Sequence, residues 1–145
     1  MGRDAPPGAI HTATGVGVKL RPDLLVRSRA GRQLTLIDFK TTSSPDLPHF
    51  LTSIEKYDYD RQAALYLDVL GATRFLIIGV QKKGNPSGVY EVWRVELTAM
   101  PGLIEQGRKK YTRLLRAHVE QHISCKSCPT RHTLPFAQPL ARVAA

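Results

Sequence analysis

Two short segments, Lys19-Leu-Arg-Pro-Asp23 and Leu36-Ile-Asp-Phe-Lys40, decide how this chain is read, because together they bring two carboxylates and a lysine to one place. Alternate residues of a strand share a face, so Asp38 and Lys40 project together while Ile37 and Phe39 point into the opposite layer. A turn at Ala30-Gly31 gives an antiparallel register in which paired positions sum to 61, which sets Asp23 directly across from Asp38. Opposed side chains in such a pair have Cβ atoms about 4.5 to 5.5 Å apart, and like charges there are destabilising unless something neutralises them. A hard divalent cation held by oxygen ligands, such as Mg²⁺, would do so.

A plainer account pairs Asp23 and Asp38 with Arg21 and Lys40 as ordinary strand carboxylates. Against it, the strand around Asp38 carries Leu34, Leu36, Ile37 and Phe39 and is apolar enough to be buried. Charges seldom occupy such a place without a cation or a role. Clustered ionisable groups of this kind are a usual mark of a functional site.

The chain has 145 residues, one domain's worth, and 42% of them are hydrophobic. No apolar run approaches the length of a membrane span, and Met-Gly-Arg-Asp-Ala-Pro-Pro-Gly at the start lacks the apolar stretch of a signal peptide. Two cysteines near the end make no disulfide framework, so a cytoplasmic setting is the expectation. The net charge is +9, and residues 98 to 145 hold eight Lys or Arg against Glu105 and Glu120. A polarised positive field favours a polyanion such as DNA or RNA, although a merely solubilising surface gives the same composition.

Residues 1 to 14 read as an irregular lead-in, residues 15 to 123 as the domain and 124 to 145 as a polar tail. Gly15 to Val26 reads as one strand interrupted by Pro22, and residues 34 to 42 as the next. Asp46 with Pro48 marks a helix start; Phe50, Leu51, Ile54 and Tyr57 keep helical spacing, and the pattern continues through Arg61 to a stop at Gly71. Phe75 to Val80 is a buried-strand run, and Val89 to Leu97 a further strand with the single tryptophan, Trp93. Residues 103 to 123 read as a helix with Ile104, Tyr111, Leu115 and His118 on one side and Lys109, Lys110, Arg113 and Arg116 on the other. That basic side could lie along a nucleic-acid backbone or simply face water. Gly15-Val-Gly17 precedes no helix and no phosphate-binding loop is present, so nucleotide-driven chemistry is not expected.

Gln62 and Tyr66, four apart, stack on one face of the helix that follows the second strand. Both can donate and accept hydrogen bonds near a phosphate or a metal-bound water. The order Asp23, Asp38-x-Lys40, Gln62-x-x-x-Tyr66 resembles the PD-(D/E)xK nuclease superfamily, in particular the branch of RecE-type exonuclease VIII and lambda-type exonucleases. The text that carries the resemblance is Arg21-Pro-Asp23, Ile37-Asp-Phe-Lys-Thr-Thr42 and the run from Tyr57 to Asp68, within residues 16 to 97.

The resemblance implies an α/β, restriction-endonuclease-like core with a mixed central sheet flanked by helices. It implies that Asp23, Asp38 and the backbone carbonyl of Phe39 bind Mg²⁺ or Mn²⁺, that Lys40 orients or activates the attacking water, and that Gln62 and Tyr66 support the site. The implied activity is metal-dependent exonucleolysis of linear double-stranded DNA in phage or bacterial recombination or repair. A single-strand annealing partner and a homo-oligomer belong to the same implication. Relatives carry an upstream helix that adds a Glu or His to the metal site; here that helix is missing or short, and His11 is the sole upstream candidate. Two other functions stay open at this point: a non-catalytic nucleic-acid-binding or assembly module that kept the fold, and a structure-specific endonuclease. His118, His122, Cys125, Cys128 and His132 are potential metal ligands, but their spacing matches no familiar zinc site, and a zinc ion at Cys125 and Cys128 is not expected.

Overall fold

The computed structural model describes residues 9–11, 15–84 and 87–125, and the side chains of residues 15–84 and 87–121. Its central feature is a four-stranded sheet in the order β3-β4-β5-β6, formed by Leu24–Arg27, Leu34–Thr42, Arg74–Gln81 and Val92–Glu96. β3 and β6 run antiparallel to their neighbours, while β4 and β5 are parallel, so the sheet is mixed. The parallel pair requires a crossover, supplied by helices α1, Leu47–Lys56, and α2, Tyr59–Leu70. A short 3₁₀ turn at Leu97–Ala99 leads from β6 into helix α3, Leu103–Cys125. This is the α/β class with a mixed sheet and adjoining helices that the sequence predicts.

The hairpin register is the expected one. Leu24 pairs with Ile37 and Arg27 with Leu34, and both pairs sum to 61. The turn is closed by Ser28 N–H donating to the Gln33 carbonyl at 2.9 Å and Gly31 N–H donating to the Ser28 carbonyl at 2.8 Å. Gly31 takes φ 69°, a left-handed conformation that costs glycine nothing.

Upstream the expectation fails in two ways. The lead-in is not wholly irregular, since Ala9–His11 forms strand β1, paired antiparallel with β2, Val16–Val18, in a separate sheet. The single strand expected over Gly15 to Val26 is two, β2 and β3, because the segment around Pro22 leaves ladder geometry and lets the chain pass from one sheet to the other. Among the described residues no helix precedes β3. His11 ends β1, and its side chain lies outside the described ones.

The helices cover one face of the sheet. Leu36, Phe75, Ile77, Trp93 and Val95 on that face meet Phe50 and Ile54 of α1 and Ala63 and Leu67 of α2 in one buried cluster. Phe50 is fully buried, tilted against Trp93 at 5.4 Å between ring centroids, and its ring lies where a Cβ at Gly79 would stand, 2.6 Å away. Burying such a ring contributes about 1.5–3 kcal/mol. On the opposite face Phe39, Val92, Leu24 and Val26 are all exposed, Phe39 at 52%. The described helices therefore do not form the layer that strand alternation predicts around Phe39.

Helix α3 lies against α2. Its buried side is Leu103, Gly107 and Tyr111, spaced by four, with Ile104 and Leu115 partly buried beside them. Gly107 is the contact of closest approach: a Cβ there would collide with the Asp60 carbonyl and lie 3.0 Å from the Ala64 Cβ. Gly107→Ala is accordingly expected to force the helices apart and lower stability by about 1–3 kcal/mol, read from urea unfolding.

Candidate active site

β4 delivers the central carboxylate. Asp38 sits on the helix-covered face and is only 5% exposed, so its charge must be met by protein groups. Lys40, two residues on and on the same face, places its ammonium 2.6 Å from Asp38 Oδ2. Gln62 of α2 completes a triangle: its Nε2 donates to Asp38 Oδ1 at 2.8 Å, and its Oε1 accepts from Lys40 Nζ at 3.1 Å. Both oxygens of Asp38 are thus met by protein groups, Oδ2 by the Lys40 ammonium and Oδ1 by the Gln62 amide.

Asp23 joins from the end of β3. The last β3–β4 pair is Leu24 with Ile37, so the strand stops where the next inward N–H of β4, that of Phe39, needs an acceptor. Asp23 Oδ2 supplies it at 2.9 Å. Asp23 lies just outside the ladder, so the expected strand pair with Asp38 is not formed; its carboxylate is fastened instead to the backbone of the residue between Asp38 and Lys40.

Tyr66 lies one helical turn beyond Gln62. Its hydroxyl is 3.5 Å from the Arg21 N–H, and its ring meets Phe75 edge-on at 6.4 Å between centroids. It therefore ties the segment before Asp23 to the core, whereas Gln62 is the α2 side chain that hydrogen-bonds Lys40 and Asp38. Tyr59 is a participant that sequence reading passes over: Lys40 Nζ stands 4.9 Å from its ring centroid. The signal is present in the spacing, since positions 59, 62 and 66 fall on one helical face.

The single helix expected from Asp46 to Gly71 is broken at Tyr57 and Asp58. Asp58 adopts φ 55°, the described non-glycine residue with positive φ, and this turn reorients the chain between α1 and α2. A left-handed non-glycine residue costs of order 1–3 kcal/mol and persists where its surroundings fix it. Here Asp58 pairs with Arg61 at 3.1 Å and with Lys110 of α3 at 3.1 Å. The hydrogen bond from Lys110 holds the Asp58 carboxyl below its ordinary range.

Lys110 consequently has a different task from the one the basic side of α3 suggests. Its ammonium lies 2.8 Å from Oδ2 of Asp60, a fully buried carboxylate, and the hydrogen bond to Asp60 is the main cause raising its pKa. This corrects the expected grouping, in which Lys110 is one of four cations facing nucleic acid; Lys109, Arg113 and Arg116 keep to the outer side of the helix. Asp68 is a second anchor between α2 and α3, accepting from Arg108 Nη2 at 2.9 Å and from the Tyr111 hydroxyl at 2.6 Å.

Among the described residues no three His, Cys, Asp or Glu side chains converge as a metal-binding group. The side chains of His122 and Cys125, and all of Cys128 and His132, lie outside the described residues, as does the zinc question they raise. No described helix is long and apolar enough to cross a membrane.

No family model matches the chain and no curated protein matches it. Among solved structures it is similar to SSO0001, at 17% identity and TM-score 0.40 over 77% of this chain. It is also similar to an alkaline exonuclease (LHK-Exo) from Laribacter hongkongensis, at 20% identity and TM-score 0.40 over 83% of this chain. The chain spans 48% of the first protein's length and 59% of the second's.

Two outcomes test the electrostatic frame. Lys110→Ala leaves Asp60 buried without its counter-charge and is expected to cost about 3–5 kcal/mol in denaturant unfolding, whereas Asp60→Asn with Lys110→Met should recover much of that stability. Burial first, and then the bond to Asp68, pushes the Tyr111 phenol up to about 12. Against an unfolded value of about 10, the phenol's contribution is complete below that pH and fades as pH rises through the folded pKa. Thermal melts from about pH 9 to about pH 12 should accordingly fall more steeply for the wild type than for Tyr111→Phe.

Proposed function

We propose that the chain is a metal-dependent nuclease domain that hydrolyses phosphodiester bonds in DNA. The observation that carries this reading is the Asp38–Lys40–Gln62 triangle on a buried strand, with Asp23 fixed beside it through the Phe39 N–H. The chemistry of the donor set fits a hard divalent cation, because Asp38 and Asp23 bring carboxylate oxygens to adjoining backbone positions. Asp23, Asp38 and the Phe39 carbonyl would hold Mg²⁺ or Mn²⁺, with water filling the remaining positions. Such an ion supplies charge neutralisation on the phosphate and lowers the pKa of water.

The protein's own groups account for the rest. The Lys40 amine nitrogen is positioned by a carboxylate, an amide oxygen and an aromatic face, which suits it to orient the attacking water and offset charge on the phosphate. Gln62 fixes both Asp38 and Lys40, and Tyr66 steadies the segment that carries Asp23. Linear double-stranded DNA digested from its ends is the substrate and mode we infer.

The test is incubation of the purified protein with linear and closed circular DNA, in Mg²⁺ and in EDTA, beside Asp38→Ala and Lys40→Ala. We expect cleavage of linear DNA in Mg²⁺ alone and a drop of about a hundredfold or more in each variant. Equal cleavage by the wild type and both variants would sink the assignment. Cleavage of closed circles would make the enzyme an endonuclease.

A further inference from the structure

Two clefts meet at the break between α1 and α2. The first, about 490 Å³, runs from the end of β4 along α1 and is lined by Thr42, Ser44, His49, Lys56, Tyr57 and Lys82, among others. The second, about 400 Å³, lies between α2 and α3 and includes Arg61, Gln62, Tyr66 and Tyr111. Tyr57 and Tyr59 line both. Tyr59 carries the Lys40 ammonium on its ring, so the junction of the clefts lies beside the Asp38–Lys40–Gln62 triangle.

The chemistry of the first cleft is that of a polyanion site. The backbone of Lys82 is fixed at the end of β5 by its main-chain N–H donating to the Thr42 carbonyl at 2.8 Å, and Lys56 stands over the Tyr57 ring at 5.5 Å. Neither lysine forms an ion pair among the described residues. Among the described residues no carboxylate lines the cleft, and Asp46 at its rim caps α1 through the His49 backbone N–H at 2.9 Å and contacts the His49 ring. Two positive charges beside a row of hydroxyls complement phosphate oxygens.

Tyr57 supplies a different interaction. It is 58% exposed, and its ring lies 5.9 Å from that of Tyr59 at an interplanar angle of 36°. The positive φ of Asp58, paired with both Arg61 and Lys110, fixes the turn that presents it. An exposed aromatic face held by a strained, tethered backbone beside a basic groove is a stacking platform of the kind that takes unpaired bases.

We infer that this cleft binds a single nucleic-acid strand on one side of Lys40, with Lys56 and Lys82 on its phosphates and Tyr57 stacked on a base. The inference rests on the nuclease reading for the identity of the strand, and on the cleft alone for the residues that bind it. It makes Lys56, Lys82 and Tyr57 substrate-binding residues that neither the strand motif nor the basic side of α3 indicates.

The experiment is fluorescence anisotropy of a labelled oligothymidylate with the full chain in EDTA, over a series of salt concentrations. Lys56→Ala with Lys82→Ala should weaken binding about tenfold or more and lower the slope of log K against log salt by about 0.7 for each phosphate that is no longer neutralised. Tyr57→Ala should weaken it about tenfold to a hundredfold while Tyr57→Phe retains it. Unchanged affinity and salt slope in the double-lysine variant would overturn the inference, as would equal weakening in Tyr57→Ala and Tyr57→Phe. Cleavage assays in Mg²⁺ separate the two readings. Lysine-dependent binding without turnover sustains the cleft and removes the hydrolytic assignment; turnover with an unchanged KM in the double-lysine variant removes the cleft and leaves hydrolysis standing.

Discussion

A carboxylate on the helix-covered side of a buried strand is the constraint from which the rest of this molecule is organised. Asp38 is buried, and the cation and the donor that meet its two oxygens come from different distances in sequence. Lys40 is local and follows from strand alternation. Gln62 is not local, and it reaches Asp38 only if α2 lies across β4 at one particular height.

Holding α2 there falls to α3. Gly107 lets the two helix backbones approach at Asp60, and Lys110 neutralises the same residue's buried side chain. Arg108 and Tyr111 then clasp Asp68 two turns further along. The ion pairs between α2 and α3 thus position the triangle indirectly, through helix placement. The turn at Asp58 belongs to the same system, because Lys110 binds Asp58 and Asp60 together.

What can be read from sequence divides along the same line between local and distant interactions. The β3–β4 register follows from one glycine turn, and β4 itself begins and ends where alternation of apolar residues predicts. The contact of Asp38 with Lys40 follows from period-two spacing, and period-four spacing puts Gln62 and Tyr66 on one helix face, but the Gln62–Asp38 contact depends on where α2 lies across β4. The break at Tyr57-Asp58 is hidden, since no glycine or proline marks it and its left-handed backbone is fixed by Lys110, fifty-two residues away. Lys110 misleads for the matching reason: a helical wheel records which side a lysine is on and says nothing of a buried aspartate on the neighbouring helix. Strand β1 escapes detection because three residues pairing with three others leave little periodic signal.

The amide of Gln62 has a property that neither of its partners shares. It presents an acceptor to the ammonium and a donor to the carboxylate from a single planar group, so its orientation is dictated by which neighbour bears which charge. A glutamate of the same length would oppose Asp38, and a lysine would oppose Lys40. Position 62 therefore reads the direction of the dipole along β4, and it is neutral in net charge because it must answer to both of its ends.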